Sequence, residues 1–137
     1  RVARQFTGYG PGQTTGFIFD VARVLKQGAT FKVNAPEVTR DFIFVADTIE
    51  GLIRLVICKE ATGEIVNLCR GEETPIGEVA KMIYGIMQTG SVEFGHQNSR
   101  AGDFLRSCGD TKKLERLLGW KPAIALEEGL RMTVPTI

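Results

Sequence analysis

Histidine is almost missing from this chain: His96 is the only one among 137 residues. That removes the commonest general base, and the commonest metal ligand, from nearly the whole sequence. Three cysteines, Cys58, Cys69 and Cys108, are odd in number, widely spaced and set in apolar or mixed surroundings. No pair has the spacing of a zinc site, so no metal is expected, and buried reduced thiols of a cytoplasmic protein are the simplest reading. Long hydrophobic runs are lacking too, the longest falling far short of the roughly 20 residues that span a bilayer. Nor is one sign of charge in excess. Seventeen Lys and Arg against 16 Asp and Glu leave +1, which gives no general attraction for nucleic acid or a membrane surface. The chain has no signal peptide and begins at Arg1 instead of Met, as expected of a processed, truncated or cloned fragment. No Ser/His/Asp or Cys/His triad can be assembled, and no catalytic residue is assigned.

What is present is an ordinary apolar fraction, 43%, enough for one domain over 1–137 with a real core. Residues 2–6 read as a strand running into the loop Gly8-Tyr9-Gly10-Pro11-Gly12-Gln13. Phe17, Ile18, Val21, Ala22, Val24 and Leu25 recur at helical spacing, and Gly28 ends that helix. Short strands are expected at Phe31–Val33, Asp41–Val45, Ile65–Leu68 and Ser91–Phe94. Asp47 followed by Glu50 has the form of a capping box, opening a helix with the stripe Ile49, Leu52, Ile53, Val56 and Ile57. Thr74-Pro75 reads as a cap and first turn for a helix burying Ile76, Val79, Ala80, Ile83 and Met87. Asp110 caps another that Gly119 stops, with Trp120 folded back on Leu114, and a last helix covers Leu126 to Met132. The pattern is mixed α/β, with short strands and more helix than sheet.

Two arginines carry the functional reading, Arg40 in Thr39-Arg40-Asp41-Phe42 and Arg100 in Arg100-Ala101-Gly102-Asp103. Two planar, permanently charged forks converging on one cleft suit a diphosphate, because each binds phosphate oxygens bidentately. Asp103 offers acceptors for ribose hydroxyls, and Phe42 is the aromatic beside Arg40. The bland alternative is equally simple: Arg40 with Asp41, and Arg100 with Asp103, are local salt bridges. The glycine loop has a G-x-G-x-x-x-G spacing, but the next strand candidate runs into Asn34 and Ala35 without the acidic residue of a dinucleotide fingerprint, and Pro11 lacks an N–H. It reads as a turn steering the chain over a ligand held elsewhere.

The ordered set of motifs resembles the C-terminal part of an extended short-chain dehydrogenase/reductase, of the NAD-dependent nucleotide-sugar epimerase, dehydratase and reductase superfamily. The matching pieces are Arg4-x-Phe6-x-x-Tyr9-Gly10-Pro11-Gly12-Gln13, Arg40-Asp41-Phe42-Ile43-Phe44-Val45-x-Asp47, Gly63-Glu64-Ile65-Val66-Asn67-Leu68, Arg100-x-Gly102-Asp103, Gly119-Trp120-Lys121-Pro122 and Leu126-Glu127-Glu128-Gly129-Leu130. Residues 33–40, 16–18 and 67–69 are most similar to the GDP-mannose dehydratase and GDP-keto-deoxyhexose reductase branch. The resemblance implies the substrate-binding lobe of an α/β fold whose N-terminal Rossmann half is missing here. It implies that Arg40 and Arg100 clamp the diphosphate of a GDP- or UDP-linked sugar, that Asp103 lies near the ribose, and that Phe6, Thr7 and Gly8 lie beside the nicotinamide and the sugar. Thr7 stands where members usually have Asn, and Asn34 roughly where an aromatic often stacks on the base. The parent reaction would fall among isomerases, lyases or oxidoreductases using NAD(P), with none bound by this chain alone. The family's Tyr-x-x-x-Lys pair is absent, since Tyr9 and Tyr84 are followed four places on by Gln13 and Gln88. Two readings stand: a binding lobe inactive by itself, whose partner is the Rossmann half or another copy of itself, and a stand-alone interaction module derived from that lobe.

Overall fold

A strand that changes partner midway organises the molecule, of which the computed structural model describes residues 1–95 and 104–137. Its first part, β1 (Val2–Gln5), runs parallel to Ile65–Leu68, with Gln5 opposite Leu68. Phe6 still donates its N–H to Leu68 O at 2.9 Å, but from Thr7 the chain, as β2 (Thr7–Tyr9), runs parallel to Thr39–Phe44. In chain order there follow α1 (Phe17–Lys26), β3 (Thr30–Val33), β4 (Thr39–Phe44), α2 (Val45–Ile57), β5 (Ile65–Leu68), β6 (Glu73–Pro75), α3 (Ile76–Met87), β7 (Ser91–Phe94), α4 (Lys112–Leu118) and α5 (Leu126–Thr133). β1 pairs with β5, β2-β4-β6 form a three-stranded sheet with β6 antiparallel, and β3 pairs in parallel with β7. Parallel pairs need crossover connections, and the helices supply them.

Alternation along β4 divides the apolar interior in two. Phe42 and Phe44 join Tyr9, Ile18, Leu25, Val79, Ile83 and Leu130 in a core built from α1, α3 and α5. Ile43 faces the other way, into a smaller core with Leu55, Val66, Leu68 and Leu114, against which Trp120 packs. The approach of α5 depends on Gly129, since a methyl group there would overlap the Tyr9 hydroxyl, which donates to Leu126 O at 3.2 Å.

Most expected elements are in place, with four corrections. Asp47 does not cap α2; the helix begins at Val45 after Phe44, with no side-chain cap. Asp47 is buried in the first turn and accepts from Ala123 N at 3.2 Å and Ile124 N at 2.9 Å, while Glu50 pairs with Arg54 on the surface at 2.6 Å. Thr74 and Pro75 are not a helix cap and first turn but part of β6, Thr74 lying opposite Arg40, and α3 starts at Ile76. Asp110 does accept from Lys112 N at 2.8 Å, but α4 begins one residue later than that cap implies, after Thr111. Of the cysteines only Cys69 is buried; Cys58 is half-buried and Cys108 exposed, all three free.

Burial pushes the Cys69 thiol up to about 12, which leaves a thiolate fraction near neutrality about a thousandfold below that of an ordinary cysteine. Native Cys69 is therefore expected to resist iodoacetamide under conditions that label Cys58, and to react once urea unfolds the chain. Equal native labelling rates, read by peptide mass spectrometry, would contradict this. No helix among the described residues is long and apolar enough to cross a membrane.

Candidate functional site

Where β1 leaves β5 and β2 takes up β4, the two walls part. Carrying the Thr7–Phe42 register back two places brings Arg40 alongside Gln5, but Gln5 is already paired with Leu68. The gap is a cavity of 330 Å³ lined by Arg4, Gln5, Phe6, Thr7, Arg40, Phe104 and Ser107. Its outer wall is the segment from Phe104 to Gly109, which three consecutive residues of β4 hold in place. Thr39 N donates to Leu105 O at 2.9 Å, Arg40 donates to Phe104 O at 2.9 Å, and Asp41 accepts from Gly109 N at 3.0 Å. Gly109 has to be glycine here, because a methyl group would overlap Cys69 Sγ and press on the Phe6 ring.

A second clamp works from the rim. Arg106 forms an ion pair with Glu73, whose Oε2 also accepts from Thr39 Oγ1 at 2.5 Å. The Arg106 guanidinium and the Thr39 hydroxyl hold the Glu73 carboxyl down at about 2, so the clamp keeps its charge through the whole neutral range.

Arg40 and Asp41 do not pair with each other. Neighbours on a strand point to opposite faces, and Asp41, fully buried, spends its carboxylate on Arg70 N at 2.8 Å, Gly71 N at 2.9 Å and Gly109 N. Arg40 donates from one nitrogen to Thr39 O and Phe104 O, both backbone carbonyls. A guanidinium has five N–H groups, so three have no partner among the described residues.

The sequence-derived site residues are brought together only in part. Phe6 and Thr7 line the same cavity as Arg40. Phe42 does not: it is 3% exposed, in the core, with its ring edge-on to Tyr9, and so offers no surface to a substrate. Gly8 lines a neighbouring cavity of 350 Å³ formed with Gln5, the 9–13 loop, Thr15 and Val45. Gln13 Oε1 is buried there with no hydrogen-bond partner among the described residues. Arg100 and Asp103 lie outside the described residues. Among those described, no cluster of His, Cys, Asp or Glu is placed to hold a metal ion.

Four cavity residues escaped the sequence reading: Arg4, Gln5, Phe104 and Ser107. Arg4 stood in a matched motif without a role, and only the change of partner at Phe6 brings it to the cavity that Arg40 also lines. Phe104 and Ser107 follow Asp103 in a polar stretch with no periodicity, so nothing local distinguished them. Tyr9, which lacks a lysine four places on, was given no catalytic role. Burial raises its phenol well above the ordinary tyrosine range, the opposite of what proton transfer by a phenolate requires.

Comparison with known proteins adds four observations. A family model described as GDP-mannose 4,6 dehydratase matches residues 2–133. GDP-6-deoxy-D-mannose reductase of Pseudomonas aeruginosa is 32% identical over 139 aligned positions, which cover 95% of this chain but 45% of that protein. Among solved structures, RMD from Pseudomonas aeruginosa complexed with NADPH superposes with a TM-score of 0.85 at 28% identity, covering 98% of this chain and 47% of that one. MoeE5 in complex with UDP-glucuronic acid and NAD does so with a TM-score of 0.87 at 25% identity, covering 98% and 45%. This chain therefore spans about half the length of the proteins it matches.

Proposed function

The chain belongs to the GDP-mannose 4,6 dehydratase family, and from that premise we propose that it is the nucleotide-diphosphate-sugar binding lobe of an NAD(P)-dependent sugar-nucleotide epimerase, dehydratase or reductase. The observation that carries this reading is the Arg40 cavity. It opens beside a fork with three donors uncommitted among the described residues, is lined by the hydroxyl-bearing residues Thr7 and Ser107, and has no carboxylate among its described lining residues. Such a site favours an anion rich in oxygen acceptors. Arg100 and Asp103, the latter bonded directly to Phe104, complete the set we assign to the diphosphate and the ribose.

The lobe is proposed to be catalytically incomplete alone. Its buried tyrosine has a raised phenol and its exposed one, Tyr84, has no lysine four places on. NAD(P), which carries the hydride when bound, would be held mainly by the rest of the family fold. Phe6 and Gly8 would border its nicotinamide end, where the orphaned Gln13 Oε1 supplies an acceptor that fits an amide N–H. That remaining part, or in its absence a second copy of this chain, is the partner we assign to the free edge of β1 and the apolar outer face of α2.

Calorimetric titration with GDP- and UDP-sugars tests the reading. Wild type should bind one class, and Arg40→Ala should lose about tenfold to a hundredfold in affinity, as expected for a charge-assisted phosphate contact. Absence of any binding at about millimolar ligand would favour the second reading, a stand-alone interaction or oligomerisation module, which the exposed face of α2 also supports.

A further inference from the structure

We propose that Gln5 reads the sugar: its carboxamide is a specificity-determining contact to hydroxyls of the hexose, at the boundary between the Arg40 cavity and the Gly8 cavity. The inference rests on the nucleotide-sugar reading and adds to it a residue outside the diphosphate and ribose set. Among the described residues, Gln5 is the one that lines both cavities. Its contact with Gly8 shows where its side chain lies. A Cβ on Gly8 would meet Gln5 Nε2 at 2.1 Å and Cδ at 3.4 Å. The backbone of Gln5 belongs to the β5 side of the strand switch, opposite Leu68, whereas its amide lies over Gly8, which pairs with Ile43 of β4. The side chain therefore bridges the switch, and Gly8 leaves free the space that the amide occupies.

The proposed chemistry gives this boundary its meaning. The diphosphate is assigned to the Arg40 cavity, and the nicotinamide end of the cofactor to the Gly8 cavity. Hydride exchange with a nicotinamide requires a sugar carbon next to it, so the sugar has to reach from the first cavity into the second, past the residue they share. Gln5 is exposed, which leaves its carboxamide open to a ligand. A carboxamide carries two N–H donors and an oxygen acceptor, and a sugar hydroxyl both donates and accepts. Being neutral, it distinguishes hydroxyl positions without adding to the attraction that Arg40 exerts on the phosphates.

The discriminating experiment separates the sugar from the nucleotide. Affinities of GDP, GDP-mannose, UDP and UDP-glucose are measured by calorimetry for wild type, Gln5→Ala, Gln5→Leu, Gly8→Ala and Gly8→Ala combined with Gln5→Leu. Circular dichroism melts accompany each, and Gln5→Leu, which keeps an apolar stem on the strand, decides the matter if Gln5→Ala or Gly8→Ala fails to fold. The quantity read is the ratio of nucleotide-sugar affinity to that of the matching diphosphate. We expect both Gln5 variants to lower this ratio about threefold to tenfold for the class that binds, while the diphosphate alone changes by less than about twofold. Gly8→Ala should lower it similarly by displacing the amide, and Gln5→Leu added to Gly8→Ala should cost less than about twofold more, because the contact is already lost. An unchanged ratio in both Gln5 variants, with wild type binding, overturns the role of Gln5 and leaves the nucleotide-sugar reading standing. An equal loss for diphosphate and nucleotide sugar also overturns it, since Gln5 would then act on the nucleotide or on the fold. Full additivity of Gly8→Ala and Gln5→Leu overturns the placement of the amide over Gly8 as the source of the contact. Failure of the wild type to bind any of the four overturns both readings.

Discussion

Asp41→Ala is expected to lower the thermal midpoint by about 10–20 °C, the largest effect of any single substitution near the cavity. The carboxylate is fully buried and accepts from three backbone N–H groups, at Arg70, Gly71 and Gly109. These amides come from two segments about 30 and about 70 residues away in sequence, so Asp41 joins β4 to both the turn after β5 and the wall of the cavity. Removing it leaves all three donors unmatched in a region where water has little access. Each unmatched donor costs about 1–3 kcal/mol, and partial relaxation brings the total to about 3–5 kcal/mol. For a chain of this size each kcal/mol is worth about 3–4 °C. Asp41→Asn should fall between, because it keeps one oxygen acceptor but turns a carboxamide NH2, a donor, toward the remaining backbone N–H groups. Nucleotide affinity should fall as well, even well below the midpoint, because Gly109 anchors the far end of the segment that begins at Phe104. A midpoint within about 2 °C of wild type, with undiminished hydrogen-exchange protection at Gly71 and Gly109, would show that Asp41 does not hold these segments.

This residue also marks where sequence reasoning stops. Arg40 stood out as a candidate binding group from its chemistry, whereas Asp41 stood out only as its possible neighbour-partner. Which of the two a strand turns inward depends on register, and the amides that claim Asp41 are distant in sequence. Asp47 repeats the lesson. The local signature of a capping box, an acid followed three places on by Glu50, is here two unrelated things: a buried carboxylate holding Ala123 and Ile124, and a surface ion pair to Arg54. β6 was hidden because Thr-Pro is a good helix opening, while a proline ending an edge strand satisfies the same sequence. By contrast α1, β5, β7 and the stop at Gly119 were readable, since their signals, periodicity and a left-handed glycine with φ of 57°, act within one or two turns of chain. The cavity itself could not be read. It arises from a change of strand partner at Phe6, and no local pattern encodes which strand is the neighbour.

Periodicity also revealed the stripe on α2 without revealing what lies against it, and this leads to the second large effect. The helix buries Asp47, Thr48, Gly51 and Leu55, and turns Val45, Ile49, Leu52, Ile53, Val56 and Ile57 outward; Ile53 is 53% exposed, Val56 67% and Ile57 73%. Together these side chains expose on the order of 500 Å² of apolar surface, near the top of the range of about 300–600 Å² for the largest patch of a typical monomer. A symmetric dimer through this face alone would bury about 1,000 Å², at the lower limit for a specific interface, so its affinity should be only micromolar. A partner that also extended the sheet from the free edge of β1 would bury considerably more, which is why we assign that face first to the remainder of the family fold. For the chain by itself, wild type at about 50 µM should elute from size exclusion as a dimer or larger species that dissociates on dilution. Ile53→Glu combined with Ile57→Lys should elute as a monomer, with its midpoint changed by no more than about 2 °C in the dilute regime. The substitutions sit on exposed positions, form an i,i+4 pair in the favourable order, and place the lysine at the negative end of the helix. If wild type stays monomeric at about 100 µM and the double variant behaves identically, the stripe needs no cover, and neither a second copy nor a missing half can be argued from it.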